Sequence, residues 1–225
     1  CKGAVKELGE KRMVSQTEQT FQFLKELIVN GTLKPSQKLT ETYLAKLCGV
    51  SRNTVKKALM MLERENLVEV EPNKGATIKS YTLEEIVNYL EIREVLEGLV
   101  ARSAARNIGD EELAKLQDVF DQMTVKLAEH RFDEYSMLNR QFHDVIYGAS
   151  PNSQAVQMIN TIKTQLNRIH FRTILIPGRS DASYQEHKAI LEAIKERREE
   201  ETEQAVRRHV ANVRLAIVNN YHILV

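Results

Sequence analysis

The sequence predicts a mainly α protein in two parts: a winged helix-turn-helix over residues 1–79 and an antiparallel all-helical bundle over 80–225. Three observations carry this. In the stretch Thr40 to Met60, Ala45, Gly49 and Val55 stand at i, i+4 and i+10, the core spacing of two short helices joined by a tight turn. Leu67-Val68-Glu69-Val70-Glu71 then alternates apolar and polar, turns through Pro72-Asn73-Lys74-Gly75 and returns as Ala76-Thr77-Ile78, which is a wing. From Ser80 onward strand signals stop, and six amphipathic helical segments follow with short joins.

Taken in order, residues 1–15 are charged and lack a hydrophobic period, so they read as a loose arm. Gln16–Val29 is a helix with Phe21, Leu24 and Ile28 on one face, ended by Asn30-Gly31. Ser51 stands where an N-cap belongs, and the second helix of the pair runs on through Leu59 and Leu62 to about Glu65. Thr82-Leu83-Glu84-Glu85 is a capping box that opens a long helix through Leu90, Leu96 and Leu99 to about Asn107. After the Gly109-Asp110 break, Leu113, Leu116, Phe120, Met123 and Leu127 mark a second bundle helix. A third covers about Phe132 to Tyr147 and a fourth about Ser153 to Leu175, stopped by Pro177-Gly178. The fifth is expected over about Ser183 to Arg197 and the sixth over about Thr202 to Tyr221.

Composition narrows the function. The chain is 28% charged and 42% hydrophobic, with no apolar run near the roughly 18–20 residues of a membrane span. Cys1 and Cys48 make no disulfide framework, so a reducing cytoplasm is expected. Through Ile78 there are 13 Lys and Arg against 9 Asp and Glu; the remainder holds 19 against 22. A basic N-terminal part on a slightly acidic body suits a nucleic-acid module joined to something else. No H-E-x-x-H, G-x-S-x-G or P-loop run occurs, which removes the usual signatures of hydrolases and nucleotide enzymes.

Two constellations carry chemistry. Ser51, Arg52, Thr54 and Lys56 fall at the start of the second helix of the pair, the positions a recognition helix offers to a major groove, and Asn73 and Lys74 lie at the wing tip. In the bundle, Asn139 and His143 are one turn apart on an apolar face, His187 shares a face with Leu191 and Ile194, and His209 shares one with Val206 and Val213. Neutral imidazoles from three helices make a site for Zn²⁺, or for Ni²⁺ or Mn²⁺, with positions left for water or a ligand. The other reading is three hydrogen-bonded core histidines.

The residues Leu39-Thr40-Glu41, Leu44-Ala45, Gly49-Val50-Ser51-Arg52, Val55, Ala58-Leu59, Leu62-Glu63 and Leu67-Val68 resemble the winged-helix domain of the GntR family of bacterial transcription regulators. Tyr89 to Glu97 (Y-L-E-I-R-E-V-L-E), followed by the helical body, resembles the ligand-binding FCD domain of its FadR-type branch. The resemblance implies a cytoplasmic homodimer on a near-palindromic double-stranded DNA operator, controlled by a small carboxylate metabolite. It implies DNA contacts from Thr42, Arg52, Thr54 and Lys56, and from Asn73 and Lys74 in the wing. Asn53-Thr54 and Lys56-Lys57 depart from the family's usual Thr-Pro and Arg-Glu, and Lys lacks the planar bidentate contact that Arg makes to guanine.

A group of FCD domains holds a divalent metal through a carboxylate and three histidines, at positions matching Asn139, His143, His187 and His209; here Asn replaces the acid. The metal anchors an effector carboxylate, with Arg93 as the implied counter-charge; its other reading is an ion pair with Glu97 at i+4. Phe142, Tyr135 and Ile162 are either pocket walls or core. Two alternatives stand beside this: a metal-free regulator with a larger acyl-type ligand, and a metalloenzyme, for which no acidic residue is evidently placed as a base beside the histidines.

Overall fold

The structure, a computed structural model, describes residues 15–72 and 74–224, with side chains other than those of 167–172 and 223. Asn73 and the expected arm before Ser15 lie outside the described residues. Contacts divide the chain into two units, one ending at Ser80 and one spanning Tyr81–Val225.

In the first unit, α1 (Gln16–Val29) is capped by Ser15, whose side chain accepts from the Glu18 amide, and it buries Thr20, Phe21 and Leu24. Strand β1 (Lys38–Leu39) leads into α2 (Glu41–Cys48), α3 (Arg52–Arg64), β2 (Val68–Glu71) and β3 (Gly75–Ile78). Thr40 caps α2 and Ser51 caps α3, each accepting from a backbone N–H three residues on. The core joins Phe21, Leu24, Leu44, Val55, Leu59, Leu62, Val68 and Ile78, so the recognition helix and the wing rest on shared apolar contacts.

The sheet holds one strand more than the two expected. β1 pairs antiparallel with β3, Lys38 opposite Thr77 and Leu39 opposite Ala76, giving the order β1-β3-β2. A two-residue strand is too short to leave a period in the sequence. It explains Gly75, which belongs to β3 rather than to the turn. Gly75 has φ +106°, and a Cβ there would lie 2.0 Å from the Leu39 carbonyl oxygen. Gly75→Ala should therefore destabilise this unit by about 3 kcal/mol, from backbone strain plus a clash with main chain that cannot swing away. Urea unfolding followed in the full chain checks this; an unchanged first transition would mean that β1 does not pair as described. Gly49 is needed for a different reason: it ends α2 in the left-handed region, φ +65°, with open space around it.

The second unit is built of α4 (Leu83–Asn107), α5 (Asp110–Ala128), α6 (Phe132–Ala149), α7 (Ser153–Thr173), α8 (Arg179–Lys195) and α9 (Glu199–Leu224). Both bonds of the Thr82/Glu85 capping box are present at the start of α4. Helix α4 packs against α9, α7 and α6, while α5 packs on α6 and α8, and α8 on α9. Small residues let α4 and α9 come close: Ala101, Ala104 and Ala105 are fully buried, and a Cβ at Gly98 would meet the Arg207 side chain at 2.6 Å. Two helices begin a turn earlier than expected. α8 starts at Arg179 rather than Ser183, and α9 at Glu199 rather than Thr202. Their first turns are polar and carry no apolar period, although Arg179 and Ser180 are buried. Among the described residues no helix is long and apolar enough to cross a membrane.

Candidate functional site

Helices α6, α8 and α9 each turn one histidine inward. His143, His187 and His209 are all buried, and one ring nitrogen from each lies within 4.8 Å of the others. The rings of His187 and His209 have centroids 4.6 Å apart, and Phe142 packs edge-on against His187 at 5.0 Å. Phe142, Tyr135 and Ile162 are buried core residues, and none of them lines the cavity beside the cluster.

Hydrogen bonds orient the donors. His187 Nδ1 lies 2.5 Å from the Ser183 carbonyl oxygen, which only accepts, so Nδ1 carries the proton and Nε2 keeps its lone pair. His209 Nδ1 donates to Glu186 Oε2 at 2.6 Å, leaving its Nε2 for the site. Asn212 Nδ2 donates to the other Glu186 oxygen at 2.9 Å. This is the carboxylate–histidine arrangement that fixes ring orientation at metal sites. His187 Nε2 and His143 Nε2 are 3.1 Å apart, too close for two bare lone pairs, so a proton or a cation must sit between them.

Electrostatics keep His143 and His187 neutral. Burial first, then the neighbouring His187 and His209, pushes His143 well below the usual imidazole range. Burial and His209 lower His187 to about 3, against the opposing Ser183 carbonyl. Burial would raise the Glu186 carboxyl, but the hydrogen bond and charge of His209, with Arg179 and Asn212, hold it down at about 2. Neutral imidazoles backed by an ionised carboxylate are the protonation states that metal ligation requires. The donor set fits a borderline divalent metal.

A cavity of about 50 Å³ opens beside the cluster, lined in part by Asn139, His143, Ser183 and His209. Asn139 Oδ1 is buried with no hydrogen-bond partner among the described residues, an orphaned acceptor beside the histidines. Four cations line the same cavity: Arg93, Arg140, Lys163 and Arg179. Arg93 satisfies both sequence readings at once. It borders the cavity while its Nη2 and Nε bond Glu97 Oε1 at 2.6 and 2.7 Å in a fully buried pair. Arg179 Nη2 pairs with Glu186 at 2.9 Å, and its Nη1 is buried with no partner among the described residues.

The sequence reading missed Glu97 and Glu186 as acidic groups beside the histidines, and missed Lys163 and Arg179 as cavity residues. Glu97 Oε2 lies 4.0 Å from His143 Nδ1. Glu186 sits next to His187 in sequence but serves His209 on another helix, so no spacing within α8 reveals its role. His130 and His222 are exposed and apart from the cluster, and the side chain of His170 lies outside the described residues.

In the first unit, α3 buries Val55, Ala58, Leu59 and Leu62 and exposes Arg52, Asn53, Lys56 and Lys57. Thr42 and Lys74 are also exposed. Ser51 and Thr54 are tied together: Ser51 Oγ accepts from the Thr54 amide at 3.1 Å and pairs with Thr54 Oγ1 at 2.9 Å. Lys74 lies 3.4 Å from Glu71 in an exposed pair. Arg52, Lys56 and Lys57 have no ion pair among the described residues, so α3 keeps these three long basic side chains exposed.

Comparison with known proteins agrees with both units. Residues 16–78 match the family described as bacterial regulatory proteins, gntR family, and residues 88–212 match the FCD domain. The HTH-type transcriptional regulator YdhC of Bacillus subtilis is 30% identical over 195 residues, covering 85% of this chain and 86% of that protein. The HTH-type transcriptional repressor RspR of Escherichia coli is 22% identical, covering 87% and 86%. The solved structure of E. coli McbR/YncC superposes with a TM-score of 0.69 at 24% identity, over 94% of this chain and 98% of that one, which supports the fold. The matched families and relatives are transcription regulators rather than enzymes. The chain belongs to the GntR family of bacterial transcription regulators, in the branch whose DNA-binding unit is joined to an FCD domain.

Proposed function

We propose that the protein binds operator DNA as a homodimer in the cytoplasm and releases or tightens it when a small organic acid enters a metal-containing pocket in the helical unit. The observation that carries this reading is the convergence of three buried histidines, two of which, His143 and His209, line a cavity with an orphaned Asn139 oxygen and a cationic lining. His143, His187, His209 and Asn139 would hold the metal, Zn²⁺ foremost because imidazole donors suit it. The bound ion would supply a Lewis-acidic positive charge to an effector carboxylate. All four protein donors are neutral, so the pocket is left in need of an anion, and Arg93 adds charge to its wall. The cavity is small and polar-lined, which suits a small acid better than an acyl chain.

Arg52, Thr54 and Lys56 on α3, Thr42 on α2 and Lys74 in the wing are the DNA contacts, with Ser51 holding the start of α3 in shape. Ile92, Val95 and Leu99 stand exposed at i, i+3 and i+7 along α4, an apolar stripe that a second copy would cover. Effector binding shifts the spacing of the two recognition helices, and a coupling of about 1–3 kcal/mol suffices to switch a promoter.

The test selects DNA sites from a random pool with the full-length protein, then measures affinity for the selected site with Zn-loaded protein and a panel of small carboxylic acids. At least one acid should change operator affinity by roughly 5–150-fold. A response confined to metal-free protein and acyl-chain ligands would overturn the proposal.

A further inference from the structure

Of the four cations around the cavity, two are ion-paired and one is exposed to solvent. Arg93 is paired with Glu97, Arg179 with Glu186, and Arg140 is exposed to solvent. Lys163 differs. It comes from α7, which contributes none of the three histidines, and its ammonium has no hydrogen bond or ion pair among the described residues. It rests over the Tyr147 ring, 4.8 Å from the centroid. Burial pulls it below the usual ammonium range, with Glu97 opposing that shift and Arg93 adding to it.

Lys163 is half-buried and lines the cavity, so its ammonium, without a counter-ion among the described residues, is placed to meet an anion that enters there. Packing alone does not call for a charge here, since an apolar side chain of the same length would cover Tyr147 equally well. Glu97, the acid that most opposes this lowering, gives Oε1 to Arg93 Nη2 and Nε and forms no ion pair with Lys163. Asp144, the other acid that acts on Lys163, is exposed to solvent, which leaves the cavity that Lys163 lines as the place where an anion would meet it.

We propose that Lys163 binds a second anionic group of the effector, so that the pocket selects small diacids over monoacids. This rests on the organic-acid reading above and sharpens it. One carboxylate meets the histidine end of the cavity and the other meets Lys163. The His143 and Tyr147 ring centroids are 6.0 Å apart and the Lys163 ammonium is 4.8 Å from the Tyr147 centroid, so the histidine and lysine ends lie a few ångströms to about 10 Å apart. A diacid of about three to five carbons has that reach.

The experiment is calorimetric titration of the Zn-loaded, full-length protein with matched pairs: malonate and propionate, succinate and butyrate, glutarate and valerate. At least one diacid should bind about tenfold or more tighter than its monoacid partner. Lys163→Met should erase that preference by weakening the diacid and leaving the monoacid nearly unchanged, and Lys163→Arg should retain it. Without ligand, Lys163→Met should melt at the same temperature as the parent or higher, because a half-buried charge with no ion pair among the described residues has been removed. Equal binding of diacids and monoacids, or equal weakening of both by Lys163→Met, would overturn the diacid role while leaving the organic-acid pocket standing. A lower melting temperature for ligand-free Lys163→Met would assign the lysine a structural role instead. Failure of all six acids to bind the parent would overturn both readings.

Discussion

Arg52→Ala should abolish operator selection while leaving the fold and the metal untouched. Arg52 is the first residue of α3, exposed and without an ion pair among the described residues, so its truncation removes no packing. Exposed substitutions of this kind change stability by about 0.5 kcal/mol or less. A bidentate arginine–guanine contact is worth about 1–3 kcal/mol of base discrimination. Two protomers on a two-fold operator double that, for a loss of at least roughly 30-fold in operator preference over random DNA. Affinity for random DNA should fall much less, because Lys56 and Lys57 still supply phosphate contacts. Binding curves on operator and random duplexes at one salt concentration check this. Retained preference in Arg52→Ala would move base readout elsewhere on the unit.

His187→Ala should lose the metal. His187 is fully buried, its Nδ1 is held by the Ser183 carbonyl, and its Nε2 points at His143 from 3.1 Å. Loss of a partner one bond further out already weakens metal affinity by about 10–100-fold. Deleting the ligand itself should exceed the upper end of that range. Glu186→Gln provides the comparison: it leaves all three rings in place but removes the carboxylate that orients His209. Its affinity should drop by about 10–100-fold, between the parent and His187→Ala. Competition with a zinc-binding dye measures all three proteins, and helix content by circular dichroism confirms that each is folded. If His187→Ala bound Zn²⁺ as tightly as the parent, the histidines would be core residues and not ligands.

Legibility followed the physics of each residue. Local devices could be read directly: Ser51 and Thr82 cap helices because a side-chain oxygen three residues before a free amide has one obvious use. The wing and the amphipathic helices showed through their periods. So did the histidine cluster, since His143, His187 and His209 each share a face with apolar residues and an inward polar group needs partners. What stayed hidden depended on tertiary meetings. Strand β1 exists only because Gly75 lets β3 lie against Leu39. The Glu186–His209 bond joins two helices, and Lys163 reaches the cavity from a third. Arg93 shows the limit most clearly. Spacing offered an ion pair or a pocket residue as rivals, and the buried geometry makes it both.

On the proposed metal site, Asn139 standing where the resemblance implies an acidic ligand carries the sharpest consequence for function. An amide oxygen brings no charge, so a metal held by Asn139 and three imidazoles keeps its full positive charge until an anion arrives. The buried, unpartnered Oδ1 is placed for such a role, and the cationic lining adds to the demand for an anionic effector.

The most direct measurement is metal content per protomer by elemental analysis, on protein prepared without a histidine tag or added metal. The account predicts close to one equivalent of Zn, or of Ni or Mn, per chain. Protein that carries no metal and takes up none on titration would contradict it.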